Sequence, residues 1–148
     1  MKNILFTLAL FLVISGTAIS QIQYKTTPFQ EVKEIPEGKA LIYFYGAPHL
    51  GKFYHYRINL NDSTAIYPIH ICEKGYFPYF ADPGEVVFWS QVADAKTELP
   101  MTLVAGETYI VKCSAKSGMW IGKPYLYIEK PEKAWKELRK CKLLGKGV

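Results

Sequence analysis

Between Phe53 and Cys72 two alternating runs of apolar and polar residues meet across Asn61-Asp62-Ser63-Thr64. In the first run Tyr54, Tyr56, Ile58 and Leu60 hold the even positions and His55, Arg57 and Asn59 the odd ones, the period of a strand with one buried face. In the second run the apolar set is odd: Ala65, Tyr67, Ile69 and Ile71. For both arms to bury a common face, an odd residue must stand opposite an even one. A two-residue Asp62-Ser63 turn achieves this by matching Asn61 to Thr64, and therefore His55 to His70. Slipping the register by a single residue would turn Tyr56 and Ile58 to water. The pattern predicts a hairpin with His55 and His70 as neighbours on the solvent face, and Phe53 and Cys72 one step further along.

The same periodicity organises the rest of the chain. Lys39 to Tyr45 is an apolar run without breakers, closed by Gly46-Ala47-Pro48, and predicts a central strand. Tyr76 to Phe80 reads as a strand whose Pro78 demotes it to an edge or a bulge. Asp82-Pro83-Gly84-Glu85 has the proline and glycine of a type II turn, with a strand from Glu85 to Val92 after it. Ala93 to Thr97 reads as a polar link. Strands follow at Glu98 to Val104, Thr108 to Ser114 and Pro124 to Glu129. Pro131 opens a helix through residue 143, with Glu132 at its positive end, basic residues at its negative end, and Ala134, Trp135, Leu138 and Cys141 as one apolar stripe. The expected architecture is all-β: an antiparallel two-sheet sandwich, Ig-like or prealbumin-like, of seven to nine strands over residues 39–130, with one amphipathic C-terminal helix over 131–143 lying on it. Residues 21–38 are polar with two prolines. They form an extended lead-in, packed on the body through Phe29, Val32 and Ile35.

Composition changes this picture little. A chain nearly half apolar without a linker-like segment makes one core and one domain. Residues 1–20 carry Lys2, an apolar run from Ile4 to Ile14, and small residues at Ala18 and Ser20, the make-up of a secretory signal peptide cleaved after Ser20. The run is too short for a transmembrane anchor, and no cysteine follows it to carry a lipid. Less the charge of Lys2, the net +5 becomes +4. Its basic residues are dispersed until the last stretch, which argues against nucleic acid as a partner. The expectation is an exported protein, periplasmic or extracellular. Cys72, Cys113 and Cys141 are an odd set matching no metal-knuckle spacing. Either at least one is a small buried hydrophobe, or Cys72 and Cys113, both on predicted strands, form a bridge.

Candidate chemistry is sparse. There is no Gly-x-Ser-x-Gly elbow, phosphate-cradling glycine loop or His-Glu-x-x-His helix, so no enzyme and no cofactor are expected. Two constellations remain. His55, His70 and Cys72 on one hairpin face, with His49 in the preceding loop, have the donor chemistry for Zn²⁺ or copper, against the plainer reading of solvent-face histidines. Trp89, Trp120, Tyr125 and Tyr127 are aromatic residues that alternation does not commit to the core, and exposed rings on a sandwich bind sugars.

Taken in order, Pro36-Glu37-Gly38-Lys39-Ala40-Leu41-Ile42-Tyr43-Phe44-Tyr45, a hairpin, Gly75-Tyr76-Phe77 leading to Pro83-Gly84, Leu103-Val104-Ala105-Gly106-Glu107-Thr108-Tyr109, and a terminal helix into Lys140-Cys141-Lys142 resemble the bacterial domain of unknown function 2846 family. The resemblance spans essentially the whole mature chain. It implies an exported, prealbumin-like β-sandwich, often lipid-anchored, though this chain lacks the anchoring cysteine; the family supplies no catalytic residue. The function expected on all these grounds is a structural or protein-interaction module of the bacterial cell envelope. A glycan-binding module and a His55/His70 metal-binding protein are the alternatives.

Overall fold

A computed structural model describes residues 27–50, 55–62, 71, 73–93, 95–116 and 122–145. The chain runs β1 (Thr27–Pro28), β2 (Ala40–Gly46), β3 (Asn59–Leu60), β4 (Gly75–Ala81), β5 (Gly84–Val92), β6 (Ala95–Leu103), β7 (Thr108–Lys116), β8 (Lys123–Ile128), α1 (Pro131–Leu138) and β9 (Lys142–Leu143). The strands make a six-stranded sheet in the order β1-β9-β4-β2-β7-β8 and a three-stranded sheet in the order β3-β5-β6. The architecture is all-β and sandwich-like, with one short helix.

β2 explains why the molecule has three layers. Its seven residues are all buried, because the run Ala40 to Gly46 is apolar on both faces. Ala40, Ile42 and Phe44 turn toward the three-stranded sheet and join Phe77, Val111 and Leu126 of their own sheet with Phe88, Met101 and Leu103 of the other. The Phe44 ring stacks on Phe77 at 5.2 Å and meets Phe88 edge-on at 5.1 Å, so one side chain ties both sheets. Leu41, Tyr43 and Tyr45 turn the other way, into a second core with Tyr76, Ile110, Ala134, Leu138 and Cys141 beneath α1.

The lead-in packs on this second core through Phe29, Val32 and Ile35, as its apolar residues predict. Its backbone is tied down by tyrosine hydroxyls: Val32 N donates to Tyr43 Oη at 2.8 Å and Gln30 N to Tyr76 Oη at 2.9 Å. These bonds satisfy amide groups that no ladder reaches.

The structure departs from the expected pattern in four places. The sheets are not purely antiparallel: β2 pairs with β7, and β4 with β9, in parallel. Both pairs are separated by long connections, which a parallel crossover needs and which local alternation does not reveal. β4 is an interior strand, yet its proline is placed as an edge proline. β9 covers only Gly75 and Tyr76, so Pro78 falls where β4 has β2 alone for a partner among the described residues.

β6 begins at Ala95, not at Glu98, because β5 and β6 form a tight hairpin with Val92 opposite Ala95 and Ala93 at φ 51°. An alanine in that region carries no turn signature. The helix stops at Leu138, where residues 131–143 were expected to be helical; the chain then turns and adds β9 between β1 and β4. Gly75 permits this close approach, since a Cβ there would lie 2.6 Å from Leu144 Cδ2.

Candidate functional site

β7 and β8 place alternate residues on opposite faces. Val111, Cys113 and Leu126 enter the core between the sheets. The cross-strand pairs Lys112–Tyr127, Ser114–Tyr125 and Lys116–Lys123 form a ladder on the other face, the one that carries α1.

At one end of the ladder the charges are consumed by the fold. Lys112 Nζ lies 2.6 Å from Glu137 Oε2 and 3.5 Å from Glu129 Oε2. Tyr45 Oη donates to the same Glu137 oxygen at 2.8 Å, and Lys133 Nζ reaches Glu129 at 2.7 Å. Burial works to lower the Lys112 pKa, but its bonds to Glu137 and Tyr127 more than offset this, and the ammonium is held above its ordinary value. Burial works to raise Glu137, and the hydrogen bonds from Lys112 and Tyr45 hold it below the ordinary carboxylate value. Burial and the bond to Glu137 push the Tyr45 phenol upward. This is a closed network that clamps α1 to the sheet. Sequence reasoning missed it; the one local signal was Glu129 and Lys133 at i, i+4.

From Tyr127, which stands opposite Lys112 with the ammonium 5.8 Å from its ring centroid, the ladder runs outward to less buried groups. The rings of Tyr125 and Tyr127 stand 5.0 Å apart with planes tilted by 32°, each half-buried. Lys116 Nζ sits 3.7 Å above the Tyr125 ring centroid. The two tyrosines thus make a short aromatic shelf at the last strand of the six-stranded sheet.

Of the other aromatic candidates, Trp89 is on β5, on the outward face of the three-stranded sheet, because Phe88 beside it enters the core. The structure therefore puts Trp89 and the tyrosine shelf on opposite outer faces. Trp89 Nε1 donates to Asn61 O at 2.7 Å and Lys96 lies 4.7 Å over its ring. Its surroundings describe a fastening for the β3–β5 edge. Asn61 adopts φ 48° there, accepts from Val87 N through Oδ1, and donates its own amide to Val87 O. Trp120 lies outside the described residues.

The predicted hairpin is seen at one bridge. Tyr56 and Ile71 exchange backbone hydrogen bonds of 3.1 and 2.7 Å, both buried, which is the expected odd-with-even parity. The register differs by two residues from the one the Asp62-Ser63 turn requires, where Tyr56 would face Ile69. Asn59 and Leu60 pair with Trp89 and Phe88 of β5, which ties the first arm to the three-stranded sheet. His55 is exposed. His70 and Cys72 lie outside the described residues, so the pairing of the two histidines does too. Among the described residues no three His, Cys, Asp or Glu side chains converge on a metal position.

Cys113 is a free thiol, fully buried between the sheets, and burial pushes its pKa upward. Of the two readings of the cysteines, Cys113 follows the buried hydrophobe and not the Cys72–Cys113 bridge. The strand that carries Cys113 aims it into an apolar core, where it packs as a small hydrophobe. No described helix is long and apolar enough to cross a membrane. Compared with family models, curated proteins and solved structures, the chain finds no match in any of the three.

Proposed function

We propose that the protein is an exported β-sandwich, prealbumin-like and related to the domain of unknown function 2846 family, that acts in the bacterial cell envelope by binding and not by catalysis. Its binding surface on this reading is the outer face of the β7–β8 hairpin, and its ligand is glycan. The observation that carries the reading is the Tyr125–Tyr127 pair, two adjacent rings left half-open at a sheet edge while the neighbouring tyrosines Tyr43 and Tyr45 are fully buried. Flat rings at that spacing offer a sugar ring apolar contact and hydroxyl partners together. The signal-peptide pattern of residues 1–20 supports export.

A protein-partner surface would ask for a contiguous apolar patch. Among the described residues the exposed large apolar ones, Phe80, Val104 and Ile128, stand on β4, after β6 and at the end of β8, as scattered surface residues do. Co-sedimentation with purified envelope polysaccharide tests the proposal. Retention of the wild-type protein and loss of retention in a folded Tyr125→Ala, Tyr127→Ala variant would support it. Equal retention of both, or none of either, would refute it.

A further inference from the structure

Beyond the tyrosine shelf, the β7–β8 ladder ends in a feature that costs the fold stability. Lys116 and Lys123 are directly opposed across the two strands, both exposed, on the same face as Tyr125. Like charges in that position repel. Lys112, four residues back, is answered by two carboxylates, whereas no carboxylate among the described residues lies within ion-pair distance of Lys116 or Lys123. The six residues that connect β7 to β8, Ser117-Gly118-Met119-Trp120-Ile121-Gly122, contain no Asp or Glu to supply one. Among the described residues Lys116 has only the Tyr125 ring face to set against this repulsion and neither lysine has a carboxylate, an opposition that an anionic group from outside would relieve.

We infer that the two lysines select the charge of the ligand on the tyrosine shelf: the glycan it takes is acidic, carrying a carboxylate or a phosphate. The inference rests on the glycan reading above and adds the ligand's chemistry to it. The sugar ring lies against Tyr125 and Tyr127, Ser114 directly opposite Tyr125 offers a hydroxyl, and the anionic substituent sits between Lys116 and Lys123. The Lys116 ammonium lies 3.7 Å from the Tyr125 ring centroid, so the charge stands beside the position the sugar would take. An anion arriving there relieves the repulsion of two ammonium groups at once, which a neutral sugar does not.

The test is a calorimetric titration of the mature protein with three probes: an oligogalacturonate hexamer, a glucose hexamer carrying phosphate monoesters on its rings, and a neutral cellohexaose. The expected result is that at least one acidic probe binds about tenfold more tightly than cellohexaose at low salt, with the advantage shrinking as ionic strength rises. Which of the two acidic probes does so tells carboxylate from phosphate. Lys123→Glu removes the preference, and it raises the thermal midpoint because the cross-strand pair becomes attractive. Lys33→Glu, an equal change in net charge placed on the lead-in, leaves the preference in place. Equal affinity for acidic and neutral hexamers overturns the inference while leaving the glycan reading standing. Loss of the preference in Lys33→Glu as large as in Lys123→Glu overturns it as well, since net charge would then be the cause. Binding of none of the three probes overturns both readings together.

Discussion

Lys112 on β7 and Glu137 on α1 meet at 2.6 Å with side chains only 7% and 18% exposed, and this contact decides where the helix lies. The helix is eight residues long, and Lys130 at its start makes no side-chain capping bond. A helix that short has little stability of its own. Its attachment comes from Ala134 and Leu138 in the outer core and from this ion pair.

Breaking the pair should therefore cost more than a surface salt bridge would. Lys112→Met leaves Glu137 with the Tyr45 hydroxyl and a largely buried carboxylate. We expect a loss of about 2–4 kcal/mol, set somewhat below the range for a fully buried pair because both groups keep some exposure. Urea unfolding monitored by circular dichroism measures it. The double variant Lys112→Met, Glu137→Met should recover most of the loss, because it removes the orphaned charge.

The same network sets a pH window. Glu137 is depressed in the fold, so its contribution is present above the ordinary carboxylate value, about 4.3, and is lost as pH falls through the folded value. Lys112 is raised, so its contribution is complete below about 10.4 and is lost as pH rises through the folded value. Stability should run flat between these limits. Glu137→Gln should lower the plateau and make the acid limb shallower; an acid limb of unchanged steepness would show that Glu137 is not coupled to folding.

Gly75 makes a prediction of the opposite kind, steric and independent of pH. Gly75→Ala would press a methyl against the buried Leu144, and overpacking of this order costs about 1–3 kcal/mol. In a Leu144→Ala background, itself destabilised by the cavity, the glycine substitution should cost little. Additive losses in the double variant would contradict the account of β9 docking.

Ser90 is buried, and its Oγ has no hydrogen-bond partner among the described residues. Removing an unsatisfied hydroxyl relieves a desolvation cost, so Ser90→Ala should be neutral or stabilising by up to about 1 kcal/mol, an unusual outcome for a buried position. A thermal melt decides this.

Much of the fold was legible along the chain because its signal was local. The unbroken apolar run at Ala40 to Gly46, the alternation of Val111 and Cys113 against Ile110 and Lys112, and Pro131 ahead of an apolar stripe each depend on a few neighbouring residues. What the sequence did not disclose depends on distant partners. That β2 lies parallel to β7, that Leu60 pairs with Phe88 of β5, and that residues 142 and 143 form a strand are matters of packing between segments far apart. The site divides the same way. Tyr125 and Tyr127 were visible as candidates through alternation, whereas the separation of Trp89 from them, the Lys112–Glu137 clamp and the Lys116–Lys123 opposition required the strand register.

The central claim, that the outer face of the β7–β8 hairpin is the binding surface, is tested most directly by nuclear magnetic resonance. Backbone amide shifts of the mature protein would be followed during titration with an acidic envelope oligosaccharide. The account predicts perturbations concentrated at residues 112–116 and 123–127, with the Trp89 side of the three-stranded sheet unaffected. Perturbations centred on Trp89 and β6, or none at a ligand concentration that saturates co-sedimentation, would contradict it.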